Sequence, residues 1–260
     1  MDGGEAVVGL FSAAVGLTYW FLWVAAAGET TLLVRPGLRL AVLALAFLGA
    51  IAIVWATLLI AADPAVRDNS WYIVLFLVVA WLSLAVVTAA GAILGLSALD
   101  DAVRKPNPAA VCGIAGLWLG TALCVAGANV GRGDTIGTTL GPLAMAVGAF
   151  LVLWGILNAA TGILTSVTSD RDVGAGIGLF GLSLAWGLIL GRAVAGDWES
   201  TARTLEDFGH DGWPVVALLP IAILVERILR PAGSSIGTAV LVAGAYVAAA
   251  AGWVIWLGRP

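Results

Sequence analysis

Val111-Cys-Gly-Ile-Ala-Gly-Leu-Trp-Leu-Gly-Thr-Ala-Leu-Cys-Val-Ala-Gly-Ala-Asn-Val-Gly131 contains no charged side chain. As an α-helix rising 1.5 Å per residue, it covers about the 30 Å of a bilayer's hydrocarbon core. Gly113, Gly116 and Gly120 fall on one side, at i, i+3 and i+7. In water such glycine content argues against a helix. In lipid it lets two backbones approach closely, and any other conformation would leave peptide groups unsatisfied. The stretch therefore reads as a transmembrane helix. A related pattern, Gly174, Gly178, Gly181 and Ala185, returns 65 residues later.

Working outward, the whole chain has the same character. Of 260 residues 61% are apolar and 11% charged, against roughly 25% charged in soluble domains. Hydropathy and breaker residues predict eight spans, at 6–27, 38–61, 71–97, 109–130, 138–164, 174–195, 212–228 and 236–257. Asp2 and Glu5 precede the first span where a cleaved leader would have basic residues, which predicts a retained helix. Pro220 falls inside the seventh span and should kink it. The longest connection, from about Gly196 to Asp211, reads as an acidic 16-residue loop. The expected fold is an all-α polytopic membrane protein whose eight transmembrane helices form repeated helical hairpins, with tandem four-helix units at 1–130 and 131–260.

Eight crossings put both chain ends on one side. Loops after odd spans hold Arg35, Arg39, Arg104, Lys105, Arg171, Arg227 and Arg230, and the other side holds Arg67, Arg132, Arg192, Arg203 and Arg259. That bias places odd loops in the cytoplasm of a cell membrane and both termini outside it. Ten of the sixteen acidic residues share the terminal side. Trp20, Trp23, Trp71, Trp213, Trp253 and Trp256 fit an interfacial aromatic belt, while Trp55, Trp81, Trp118, Trp154 and Trp186 lie deeper, as packing or lipid-facing bulk.

Even spans resemble one another. Shifting by 65 matches Gly113, Gly116 and Gly120 with Gly178, Gly181 and Ala185. A shift of 72 sets Ala41 and Ala44 on Gly113 and Gly116, and one of 63 carries Gly181 and Ala185 to Gly244 and Ala248. Odd spans are bulkier. Two-helix units preserve orientation, so the repeats are parallel. Small-faced even helices should gather inside, with the odd helices as a collar.

Lys105-Pro-Asn-Pro-Ala-Ala110 leads into Gly113 and Gly116, and Arg171-Asp-Val-Gly-Ala175 leads into Gly178 and Gly181. These turns resemble an uncharacterised family of four-helix bacterial inner-membrane proteins, here as two tandem units. The resemblance implies a polytopic helical fold and carries no activity. The family's Asn before the small pair is displaced at Asn107 by Pro108 and replaced by Asp172.

No Asp, Glu, Lys or Arg falls near a span's midplane, which counts against proton-coupled transport. The single His210 and the separated Cys112 and Cys124 predict no metal site and no cofactor, and nothing points to nucleic acid. Asn158 and Thr161 share a helix face that Thr165 continues, and these three are the substrate-path candidates. Glu226, Arg227 and Arg230 are candidates at the cytoplasmic face. Two function classes follow. One is a channel or facilitator for a small solute or ion, with Asn158 replacing hydration. The other is a non-catalytic structural or regulatory subunit that assembles with itself or with a partner membrane protein. An enzyme is the weaker third class, because it would need Glu226, Arg227 and Arg230 to converge on the Asp100–Lys105 turn.

Overall fold

Among the described residues eight helical segments are long and apolar enough to cross a bilayer, and each overlaps one of the eight expected spans, the seventh starting earlier than expected and running from Thr201 to Ile228. The computed structural model describes residues 3–31, 37–105, 107–133, 135–229 and 235–258. Its helices are α1 (Gly3–Thr31), α2 (Gly37–Ile60), α3 (Pro64–Arg67), α4 (Ser70–Leu94), α5 (Pro108–Ala128), α6 (Gly137–Thr161), α7 (Ile163–Thr168), α8 (Val173–Ala193), α9 (Thr201–Gly212), α10 (Pro214–Leu229) and α11 (Ile236–Leu257). A π-helical turn, Ala98–Arg104, precedes α5. The protein is an all-α polytopic membrane protein with hairpin-like helix packing.

Helix starts follow from local chemistry. Asn107 accepts from the backbone N–H groups of Ala109 and Ala110, and Asp172 accepts in the same way from Gly174 and Ala175. The two caps are 65 residues apart, so the repeat extends into the turns. One expectation fails here. The predicted loop from Gly196 to Asp211 contains α9, capped by Ser200 and braced by Arg203 pairing with Glu206 and Asp207. These i,i+3 and i,i+4 pairs form only on a helix, which is why an acidic stretch could hide one. Trp213 alone separates α9 from α10, and α10 runs unbroken across Pro220.

The even spans form a row in the order α2, α5, α8, α11; the odd spans α4, α6 and α10 lie against it, and α1 packs on α4 and reaches the row through Trp20. This is a layer, not a ring inside a collar. α5 and α8 are central, with 83% and 67% of their spans buried, while α2 and α11 at the ends have 28% and 17%. Along α5 and α8 the backbones themselves touch. A methyl group on Gly120 would lie 2.6 Å from the Ser183 carbonyl, and one on Gly127 would overlap the Gly191 carbonyl. In the other direction, methyl groups on Gly176 and Gly187 would meet the carbonyls of Ala109 and Gly120.

The register clarifies the repeat. α5 turns Gly116 and Gly120 toward α8, and α8 turns the matching Gly181 toward the Ala243 backbone of α11. At the ends the expected alignments pick the outward face. Ala41, Ala44, Gly244 and Ala248 are exposed, whereas Ala46, Ala50, Ala239, Ala243 and Ala250 are buried. Composition cannot separate these faces, because both are rich in small residues.

Two buried indole–hydroxyl bonds fasten the odd layer to the row. Trp118 on α5 donates to the Thr88 hydroxyl on α4 at 2.8 Å, and Trp154 on α6 donates to the Ser183 hydroxyl on α8 at 3.1 Å. Each hydroxyl in turn donates a hydrogen bond to a carbonyl four residues back, Thr88 to Leu84 and Ser183 to Leu179. Ser183 is 65 residues after Trp118, so the repeat keeps the bond while exchanging donor and acceptor between layers. Trp20 departs from the interfacial belt: it is buried, donates to the Trp81 carbonyl and packs edge-on against Phe47 and Trp118. Trp55 is half-exposed on the outer side of α2.

Gly127→Leu must push α5 and α8 apart. Its expected cost is at the upper end of overpacking penalties, about 3 kcal/mol or more. Gly141→Leu on α6, where an added methyl meets nothing within 4 Å, should change stability little. Thermal unfolding of both variants in mild detergent checks the difference.

Candidate functional site

The sequence-derived polar candidates brace helix ends. Asn158 Nδ2 donates to the Leu94 carbonyl at the end of α4 at 3.3 Å, and its Oδ1 accepts from Leu164 N–H at 3.1 Å. Thr161 donates to the Leu157 carbonyl and accepts from Ile163 N–H, and Thr165 is exposed. Both amide groups of Asn158 thus satisfy backbone atoms freed where α4 and α6 stop. Arg227 repeats the role one hairpin later, with Nη2 donating to the Ala160 carbonyl at 2.7 Å. Asn158 and Arg227, chosen from the sequence for unrelated reasons, are equivalent struts. Glu226 is half-buried with Oε1 near Gly178 on α8. Arg230 lies outside the described residues.

Polar groups converge instead on the terminal face, where α1 begins and α11 ends. The exits of three even helices are laced together there. Ala62 and Gly131 form a parallel bridge, Gly196 N–H donates to the Val130 carbonyl, and Trp198 N–H donates to the Arg132 carbonyl. Gly131 and Gly196, at φ of 108° and 139°, turn the chain at equivalent points. A methyl on Gly131 would overlap the Gly196 carbonyl. The next residue at each exit carries a charge. Arg132 Nε is 3.6 Å from Asp63, and its backbone N–H donates to Asp197 at 2.8 Å.

These exits wall a cavity of about 210 Å³ with Glu5 of α1, Tyr72 of α4, Thr138 of α6 and Asp207 of α9 on its other sides. Tyr72 donates to the Glu5 carboxylate at 3.0 Å, and Glu5 is 9% exposed. The lining includes, among the described residues, the acidic Glu5, Asp63, Asp197 and Asp207 and the basic Arg132, with Asp63 beside Arg132 and Asp207 paired with Arg203 at 3.2 Å. Among the described residues no three His, Cys, Asp or Glu side chains converge as metal ligands. Sequence reading missed this site because Asp63, Arg132 and Asp197 differ in charge. The signal was their common place, one residue after each even-helix exit.

A second cavity, about 510 Å³ and almost wholly apolar, opens between α1, α4 and α6. Its walls begin one turn or less from the vestibule lining: Val8 follows Glu5, Val79 follows Phe76, and Leu143 follows Pro142.

Comparison with protein-family models, curated proteins and solved structures gives no match for this chain. The resemblance to four-helix inner-membrane proteins therefore rests on its turn residues alone, and the description that stands is a polytopic, highly helical membrane protein.

Removing the Asn158 strut leaves the Leu94 carbonyl and Leu164 N–H without their partner. Asn158→Ala should cost about 1–2 kcal/mol, seen as a lower melting temperature in detergent, while Thr165→Ala should leave it unchanged.

Proposed function

We propose that this multi-pass membrane protein is a non-catalytic structural or regulatory subunit that assembles with itself by continuing the even-helix row from one copy to the next. One observation carries this reading. Gly181, 63 residues before Gly244, is packed against α11, yet Gly244 and Ala248 on α11 are exposed because the row ends there. At the other end α2 exposes Ala41, Leu45, Leu48 and Ala52. Small residues on one end and leucines on the other suit a parallel head-to-tail contact of the kind already made within the row. In this reading the units 1–130 and 131–260 are joined by the same type of seam that joins copies.

A channel or facilitator has less support. The even helices that would surround a path are in backbone contact at α5 and α8, and the Asn158 amide is engaged with backbone groups.

Gly244→Leu combined with Ala248→Leu should convert oligomers to monomers in native-membrane nanodiscs without lowering the melting temperature. Ile93→Ala, at a position 87% exposed on α4, should not. A native protein that is monomeric across concentrations sinks the assembly reading. A specific ion or solute flux in proteoliposomes would favour the channel instead.

The loop-charge bias supports both termini outside the cytoplasm. Alkaline phosphatase fused after Gly258 should then be active in a bacterial host, and a fusion in the 105–107 turn inactive. The reverse pattern would invert the topology.

A further inference from the structure

We propose that the signs of the charges at the even-helix exits decide which faces meet between copies, so that the row continues head to tail, α11 of one copy against α2 of the next. The inference rests on the row-continuing assembly above and names what selects its direction. Each even helix ends in a small residue followed by a charge: Ala62-Asp63 after α2, Gly131-Arg132 after α5, Gly196-Asp197 after α8 and Gly258-Arg259 after α11. Along the row the signs alternate, minus, plus, minus, plus. Neighbours of opposite sign are joined within the copy. Arg132 Nε is 3.6 Å from Asp63, and the Arg132 N–H donates to Asp197 at 2.8 Å. One residue thus serves the exits on both of its sides. The α11 exit is fastened to α8 by Arg192 Nε, which donates to the Gly258 carbonyl at 3.3 Å. Gly258 turns the chain at a φ of 76°, with positive φ as at Gly131 and Gly196. Arg259 itself lies outside the described residues, and one peptide unit, about 3.8 Å between Cα atoms, ties it to Gly258.

The two ends of the row are therefore opposite in sign. Among the described residues Asp63 has an even-helix exit on one side only, that of α5, because α2 ends the row. Packed helices lie about 8–10 Å apart, which is about one Debye length at physiological salt. Charges at adjacent exits therefore act on each other across a seam even without contact. Head to tail, Arg259 stands next to Asp63 of the following copy, and the alternation runs on without a break. The two-fold alternatives fail on charge. Packing α2 against α2 sets Asp63 beside its own counterpart, and packing α11 against α11 does the same with Arg259. An exposed pair of opposite sign adds little affinity, whereas like charges set together strongly disfavour the wrong partner. The stripe at Gly244 and Ala248 supplies packing, and the exits supply direction. A head-to-tail contact also leaves a face free at each end and propagates, while a two-fold contact closes as a dimer.

The test is Förster transfer between full-length copies carrying a donor or an acceptor at the amino terminus, titrated by lipid dilution in phosphatidylcholine liposomes. Arg259→Asp and Asp63→Lys each put like charges at every head-to-tail seam, and each alone should weaken association about tenfold. Mixing donor-labelled Arg259→Asp with acceptor-labelled Asp63→Lys restores opposite charges at every mixed seam, so transfer should return to the wild-type curve. Melting temperature in mild detergent checks folding, because Asp63 also caps α3 through the Ala65 N–H. If Asp63→Lys lowers it, Asp63→Asn, which keeps that capping oxygen, replaces it. That mixture should then associate more tightly than Arg259→Asp alone. Two results overturn the proposal while leaving the row intact. One is wild-type association in either charge variant although Gly244→Leu with Ala248→Leu abolishes it, and the other is no gain on mixing. A native protein that gives no transfer at any lipid ratio overturns the row itself.

Discussion

Backbone contact between α5 and α8 is the constraint on which the rest of the structure depends. In a bilayer, helices gain nothing from leaving lipid for one another except packing and the occasional hydrogen bond. A pair that brings main chain against main chain, at Gly116, Gly120, Gly127, Gly176, Gly187 and Gly191, maximises that packing along the full span. It also fixes register, because each carbonyl sits where any side chain beyond hydrogen would collide. From that fixed pair the row extends to α2 and α11, and the odd helices close over it with aromatic and aliphatic bulk.

The same constraint decides where polar chemistry can sit. Between α5 and α8 there is no room for a hydrated path. The hydroxyls of Thr88 and Ser183, deep in the spans, bond their own helix and accept from a neighbouring tryptophan. Asn158 and Arg227 are occupied by carbonyls at the ends of α4 and α6. Polar side chains face open space together on the terminal side, because close-packed even helices deliver their exits side by side. Asp63, Arg132 and Asp197 become neighbours as a direct consequence of the seam.

The repeat has a second consequence. A row of parallel units has two ends, and each interior stripe of small residues has an exposed counterpart at the end of the row. Gly244 and Ala248 on α11 hold the place that Gly181 and Ala185 hold on α8, yet only the latter are covered. Solenoid-like stacking commonly handles such ends with a divergent terminal unit. Here the stripe persists to the last helix.

The sequence by itself determined the membrane class, the eight spans and the 65-residue repeat, because length and uniform apolarity in lipid admit little besides helices. It also contained the caps Asn107 and Asp172, whose roles depend only on residues two and three positions away. It misread the Gly196–Asp211 stretch as a loop, since the ion pairs of α9 appear only once the helix exists. It took Trp20 for an interfacial residue, although the tryptophan is buried against Phe47 and Trp118, a pairing across three helices. Asn158 was legible as a polar residue near a span's end, but not as a strut for a carbonyl 64 positions away. Which of two small-residue faces meets a partner, and which charges share a cavity, was decided only by tertiary structure. Both depend on the rotation and register of helices against each other, and a periodic glycine pattern supports several of those equally well.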